Sequence, residues 1–306
     1  MVNKTIRIGT RDSELALWQA HTVQNKLNDL GYNTKIVAVK STGDIILDKP
    51  LYELGITGIF TKTLDVAMIN GDVDIAVHSM KDVPTALPKG IVQAAVLERA
   101  TTADILVHKG NLDFLNGEGT IATGSLRRQA QWLNKFPNHS VVDLRGNVNS
   151  RMKKLEESKW NGAIFAAAGL ERINLKPEDY IDLDWMIPAP AQGAMLVVAM
   201  ANDEYCRQAL IELNDIDTEV CTHIERQFLK TLEGGCTAPI GALAVFVADD
   251  IVFKGVLFAI DGKQKIEVEK TVPMQEWKKL GFFCAKEILD NGGAELMIAI
   301  KNTLKK

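Results

Sequence analysis

Cysteine is scarce in this chain: four residues among 306, Cys206, Cys221, Cys236 and Cys284. They stand far apart and form no C-x-x-C pair, which excludes a disulfide framework and a thiolate zinc site, and no other metal constellation is visible. An excess of basic charge is missing too. Lysine and arginine number 35 against 39 acidic residues, a net charge of -4, so neither a nucleic acid nor an anionic membrane is the expected partner. No apolar run reaches the roughly eighteen residues that a membrane-spanning helix needs. The N-terminal stretch lacks an apolar core of signal-peptide length, and the cytoplasm is the expected compartment. Internal repeats and low-complexity tracts are absent.

What remains is a globular composition, 46% hydrophobic and 24% charged, in a chain longer than one ordinary core, so two or three domains are expected. The first two-thirds alternates short apolar runs with amphipathic stretches. Strands are predicted at Ile6–Gly9, Lys35–Val39, Asp74–His78, Ile105–Val107, Thr120–Ala122, Val141–Leu144 and Ala163–Ala167. Helices are predicted between them at Glu14–Leu30, Thr61–Asn70, Leu126–Lys135 and Val148–Glu157. This alternation predicts layered α/β domains with largely parallel sheets. Beyond about Asp217 a helix over Thr218–Leu232 leads into strands Ala242–Ala248, Ile251–Ala259 and Lys265–Lys270, then a helix over Trp277–Asp290. Turn residues between these strands predict an antiparallel sheet and a smaller α+β unit.

The arginines fall in telling places. Arg11 follows the first strand, Arg127 and Arg128 open a helix after Gly124-Ser125, Arg145 ends a strand and Arg151 lies in the helix after it. Carboxyl ends of parallel strands converge on ligand crevices, where helix N-termini and guanidinium forks recognise carboxylate or phosphate. One such arginine alone is a surface residue in a weak ion pair. Several at strand-to-helix turns of an acidic chain point to a polyanionic small molecule. A second feature is the strand that runs through His78 into Ser79, Lys81 and Asp82. An aspartate beside a lysine in a cleft holds a proton or faces a developing cation, while the plainer account is a capping aspartate and a solvated lysine. His78 reads as structural. A third is Leu232-Glu233-Gly234-Gly235-Cys236-Thr237-Ala238-Pro239, which puts Cys236 on a tight loop as nucleophile or attachment point. The other three cysteines sit in helical patterns and read as packed hydrophobes.

Six segments together resemble the porphobilinogen deaminase family over essentially the whole chain. They are Arg7-Ile8-Gly9-Thr10-Arg11-Asp12-Ser13, Ala76-Val77-His78-Ser79-Met80-Lys81-Asp82-Val83-Pro84, Thr123-Gly124-Ser125-Leu126-Arg127-Arg128-Gln129, Leu144-Arg145-Gly146-Asn147-Val148 with Arg151 after it, Pro190-Ala191-Gln192-Gly193-Ala194, and Leu232-Glu233-Gly234-Gly235-Cys236. The resemblance implies two α/β domains of the type II periplasmic-binding-protein kind with the active site between them, plus a smaller C-terminal α+β domain. The corresponding partition is 1–98 with 194–214, 99–193, and 215–306. It implies a monomer whose substrate is porphobilinogen and whose covalent dipyrromethane cofactor is joined by a thioether to Cys236. Asp82 would be the catalytic acid/base. Ser79, Lys81, Thr123, Ser125, Arg127, Arg128 and Arg151 would hold the cofactor, and Arg11, Ser13, Arg145, Arg151 and Gln192 the substrate.

Four positions depart from the family pattern. Thr57-Gly58 stands in a loop that usually carries Gly-Lys-Gly, Gly124 where a second serine is usual, Ala191 for a common glycine, and Ala103 where many relatives have arginine. Two other functions stay open at this level. A non-catalytic binding protein for an organic anion accounts for the arginines, and a cysteine-dependent acyl transferase or amidase would pair Cys236 with His78 or His223.

Overall fold

A computed structural model describes residues 4–40, 58, 60–233 and 238–304. They fall into two compact units, one of residues 4–40, 60–100 and 193–219, the other of 101–192, 220–233 and 238–304.

In the first unit, β1 (Ile6–Arg11), β2 (Thr34–Val39), β3 (Ile75–Ser79), β4 (Ile91–Val96) and β10 (Met195–Met200) form one sheet in the order β2-β1-β3-β10-β4. β1 pairs in parallel with β2 and β3, while β10 runs antiparallel to both β3 and β4. The prediction of largely parallel sheets is corrected here. A strand returning from a distant part of the chain slots between β3 and β4 in the opposite direction. Its sequence, Met195-Leu196-Val197-Val198-Ala199-Met200, has the continuous apolar run of a strand buried on both faces, and it was missing from the predicted set, as was β4. Helix α1 (Glu14–Asp29) buries Ala16, Gln19, Ala20, Val23 and Leu27 on one stripe. That stripe packs against Ile6, Ile8, Ile75 and Val77, each side chain contributing about 1.5–3 kcal/mol of burial. Helix α2 (Lys62–Ile69) covers the other side of β1 and β3, where Leu64 approaches Gly9.

The second unit holds two sheets. In one, β5 (Asp104–His108), β6 (Thr120–Ala122), β7 (Ser140–Val142), β8 (Gly162–Ala166) and β9 (Tyr180–Asp182) run in the order β7-β6-β8-β5-β9. The β6 pairs are parallel and the β5 pairs antiparallel, so this sheet is mixed as well. Helices α3 (Leu126–Lys135), α4 (Val148–Glu157) and α5 (Ala167–Glu171) follow β6, β7 and β8. Further on, α6 (Glu204–Ile211) belongs to the first unit, and α7 (Ile216–Thr231) carries the chain into the C-terminal sheet. There β11 (Ile240–Val247), β12 (Asp250–Phe258) and β13 (Lys265–Pro273) are antiparallel throughout, as predicted.

The predicted helix over Trp277–Asp290 is shorter than its pattern. A 3-10 turn spans Met274–Lys279, α8 covers Leu280–Ile288, and Gly292 at φ 96° separates it from α9 (Ala294–Leu304). The C-terminal core gathers Ile224, Phe228, Ile251, Phe253, Leu257, Cys284 and Ile300. Cys206, Cys221 and Cys284 are buried, and burial pushes the Cys206 and Cys284 thiols up to about 12, so neither is a thiolate at neutral pH.

Candidate functional site

Four of the predicted site residues meet at one end of the first sheet. Arg11 ends β1, Ser13 precedes α1, and β3 delivers Ser79 into the 3-10 turn Met80–Asp82. Arg11, Ser13, Ser79 and Asp82 line a cavity of about 70 Å³ together with Gln19, Phe60, Thr61, Val77 and His78. The Arg11 guanidinium lies 4.5 Å from the centre of the Phe60 ring, a cation–π contact that holds the charge in place. Gln19, only 2% exposed, donates from Nε2 to Ser79 Oγ at 3.0 Å. Sequence reading missed Gln19, although the signal was present: it is the one polar residue on the buried stripe of α1. His78 is buried under the same cavity. Its burial, helped by the charge of Arg11, depresses its pKa to about 4, so it is a neutral imidazole at neutral pH. Lys81 sits in the same turn, half-buried, but does not line the cavity.

A second cluster stands at the ends of β6 and β7. Ser125 caps α3, accepting from Arg128 N at 3.5 Å, and Thr123 Oγ1 accepts from Ser125 N at 3.3 Å. Asn147 caps α4 through Ser150 N at 2.9 Å, which sets Arg151 in the first turns of that helix. Lys154 Nζ donates to the Arg145 carbonyl at 3.0 Å. Arg145 is 5% exposed and Arg151 is half-buried. Asp143, two residues before Arg145, feels the charges of Arg145, Arg151 and Lys154. Partial withdrawal from water raises its carboxyl above the ordinary value, while those cations pull the other way.

Arg127 and Arg128 were expected to hold the cofactor and Gln192 the substrate. In this structure they turn inward onto a carboxylate of the chain itself. Arg127 Nη1 donates to Asp104 Oδ2 at 2.7 Å and to the Ile187 carbonyl at 2.8 Å. Arg128 donates to Asp104 Oδ1 from Nε at 3.0 Å and from Nη2 at 2.7 Å, and to the Ile164 carbonyl from Nη1 at 3.0 Å. Gln192 Nε2 adds 2.9 Å to Asp104 Oδ1 and 2.7 Å to the Thr102 carbonyl. The physical reason is Asp104, fully buried at the head of β5, because a buried charge persists only when paired and hydrogen-bonded. Burial alone would raise its carboxyl; the charges of Arg127 and Arg128, with hydrogen bonds from Arg127 and Gln192, outweigh that and hold it well below the carboxylate range. Arg127 Nε is buried and has no hydrogen-bond partner.

Cys236 and Thr57 lie outside the described residues. His223 stacks edge-on against Trp277 at 5.1 Å. Among the described residues no cluster could hold a metal ion, and no helix is long and apolar enough to cross a membrane.

Comparison with known proteins adds an independent line. Residues 6–208 match the family model "Porphobilinogen deaminase, dipyromethane cofactor binding domain", and residues 219–290 match "Porphobilinogen deaminase, C-terminal domain". The chain is 41% identical to a porphobilinogen deaminase of Desulfitobacterium hafniense, across 99% of both chains. It is 38% identical to one of Chlorobium phaeobacteroides, across 99% of this chain and all of that one. Among solved structures, the VFT2 domain of Bordetella pertussis BvgS aligns at 11% identity and a TM-score of 0.41, covering 70% of this chain and 89% of that one.

Proposed function

The chain belongs to the porphobilinogen deaminase family, and from that premise we propose that Asp82 is the acid–base group of a stepwise condensation of four porphobilinogen molecules into hydroxymethylbilane. The observation that carries this assignment is the cavity in which the Asp82 carboxylate stands with the Arg11 guanidinium and the hydroxyls of Ser13 and Ser79. Asp82 gives a proton to the aminomethyl nitrogen of porphobilinogen, the C–N bond breaks, and ammonia leaves. The carboxylate then faces the methylene-pyrrole cation that remains, where a fixed negative charge lowers the barrier. After carbon–carbon bond formation it accepts the proton lost from the attacked pyrrole position. Arg11 and Ser13 hold the acetate and propionate of the incoming unit by charge-assisted hydrogen bonds. Water ends the sequence by releasing the tetrapyrrole.

The matched family domain is a dipyrromethane cofactor binding domain, and the second cluster fits such a group. A dipyrromethane with acetate and propionate side chains carries four carboxylates. The ends of β6 and β7 offer it the Ser125 hydroxyl and the Arg145 and Arg151 guanidiniums, and Arg127 keeps an unspent buried N–H. When bound, this group supplies the nucleophilic pyrrole carbon from which the product chain is extended. Thr123, Ser125, Arg127 and Arg151 hold its carboxylates in this reading, with Ser79 and Lys81 contributing from the turn after β3 and Arg145 serving the substrate. Arg128 and Gln192 brace Asp104 and act through it. The attachment atom is Cys236 Sγ. A three-domain partition at 1–98 with 194–214, 99–193 and 215–306, a monomeric state and a cytoplasmic location belong to the same proposal.

Intact mass spectrometry of the protein beside Cys236→Ser tests it. The expected result is an excess of two linked pyrrole units, absent from the variant. A bare-chain mass that stays unchanged after incubation with porphobilinogen or hydroxymethylbilane would overturn the attachment and the reaction together.

A further inference from the structure

The segment Ile187-Pro188-Ala189-Pro190-Ala191 has the helix that begins at Arg127 on one side and the elements that flank Cys236 on the other. Arg127 and Gln131 stand one helical turn apart on α3, so they share a face of that helix. Both reach Ile187. Gln131 Nε2 donates to the Ile187 carbonyl at 2.8 Å, and Gln131 Oε1 accepts from the Ile187 amide at 2.8 Å. The same carbonyl accepts from Arg127 Nη1 at 2.8 Å, which occupies both of its lone pairs. Gln131 is 3% exposed, so its amide has to find partners inside the protein. Across the segment stands the C-terminal sheet. Ala242 N, in β11, donates to the Pro188 carbonyl at 3.0 Å. Gly241 lets β11 come this close, since a Cβ there would lie 2.8 Å from the Ile187 carbonyl oxygen. The fully buried Glu225 of α7 accepts from Ala191 N at 2.6 Å and from Ala244 N of β11 at 2.8 Å. In sequence Cys236 falls between α7 and β11, and both elements are thereby tied to the segment that Gln131 grips.

We propose that Gln131 is a positioning residue for attachment of the cofactor. Its two-point grip on Ile187 fixes the register between the N-terminal end of α3, where Ser125 and the unspent Arg127 N–H meet ligand carboxylates, and the two elements on either side of Cys236. A group that is tethered at one place and held at another reacts fast only when the two stand at a fixed separation. Without the grip, Arg127 and Cys236 each keep their chemistry while α3 loosens on the segment that links them. This rests on the reading of Cys236 Sγ as the attachment atom and of Ser125 and Arg127 as carboxylate holders.

The test compares the parent with Gln131→Met, which keeps the side-chain length and removes both hydrogen bonds. Full-length apoprotein, made in cells that form no porphobilinogen, is incubated with hydroxymethylbilane while intact mass follows the adduct. Loading forms the bond from Cys236 Sγ to the hydroxymethyl carbon and breaks the C–OH bond, and the thiol proton leaves with the hydroxyl as water. In parallel, iodoacetamide alkylates Cys236 without offering α3 a carboxylate, and the buried Cys206, Cys221 and Cys284 report on folding. The variant should load roughly ten- to a hundredfold more slowly, with alkylation of Cys236 within about twofold of the parent and the buried thiols still protected. Ile300→Ala, a truncation in the C-terminal core outside the Ile187 group, controls for lost stability and should load at the parent's rate. Equal loading by Gln131→Met and parent overturns the proposal, as does a slowdown that iodoacetamide or Ile300→Ala shares. If Gln131→Met exposes the buried thiols, Gln131→Asn, which keeps the amide and draws it back from Ile187, is judged by the same outcomes. A parent apoprotein that gains no pyrrole mass, or gains as much in Cys236→Ser, would sink the attachment reading instead.

Discussion

At the scale of single residues, two positions carry opposite kinds of cost. Asp82 holds its place in a short 3-10 turn whose core anchor is Met80, 1% exposed, so the carboxylate itself contributes little to packing. Asp82→Ala should leave the circular dichroism spectrum and melting temperature close to the parent's and lower turnover by roughly a hundred- to ten-thousand-fold, the range for losing a general acid–base group. Turnover within a few-fold of the parent would remove Asp82 from its role. Ala191 is the converse case. It sits at φ 63°, in the left-handed region where a Cβ costs about 1–2 kcal/mol, and its amide donates to Glu225 Oε2 at 2.6 Å. Ala191→Gly keeps that hydrogen bond and removes the strain, against an entropic penalty of about 0.5–1 kcal/mol. The expected net gain is about 0.5–1 kcal/mol, read as a melting temperature roughly 2 °C higher.

At the scale of elements, the second sheet is held to its first helix by one buried carboxylate. Asp104 at the start of β5 fastens both arginines at the N-terminal end of α3, and through Gln192 it also fastens the segment before β10. Asp104→Asn leaves two buried guanidiniums facing each other without a counter-charge and should cost about 3–5 kcal/mol, measured by urea unfolding. A loss below about 1 kcal/mol, the size of an exposed pair, would show that the cluster is not closed to water. This lock also marks the limit of what the sequence made legible. Strand-to-helix turns were readable, because β-branched runs and amphipathic stretches alternate there, and so Arg11, Ser125, Arg145 and Arg151 could be placed at sheet ends. The inward direction of Arg127 and Arg128 was not, because it depends on which distant residue is buried beside them. A charged residue heading the apolar run Asp104-Ile105-Leu106-Val107 was the available hint. Strand direction was hidden for a similar reason: local periodicity marks β10 as apolar but carries no information on which neighbours it enters between. Gln19 was readable as a polar residue on an apolar stripe and was passed over.

At the scale of the whole molecule, acid should destabilise the fold in two separable stages. His78 ordinarily titrates at 6.5 and in the folded chain at about 4, because it is buried and because Arg11 repels its proton. The unfolded chain therefore binds the proton more readily than the folded one between those values. Stability supplied by keeping His78 neutral is complete above 6.5, falls as pH drops through that window and is lost by about pH 4. The depression corresponds to about 3 kcal/mol. Asp104 acts lower. Its folded pKa lies well below the ordinary 3.8, so its contribution is intact through the first stage and is lost only as pH falls beneath that value. Asp65 and Asp143, both raised by burial, act with the opposite sign across part of the upper window, so the parent curve alone does not isolate His78. The difference between the parent and His78→Gln does, since glutamine keeps a polar side chain and has no proton to bind. Urea unfolding at pH 7 and pH 4.5 should show the parent losing about 2–3 kcal/mol more than the variant. Equal losses would mean that His78 opens to water before it titrates, and the first stage of acid sensitivity would then have to arise elsewhere in the chain.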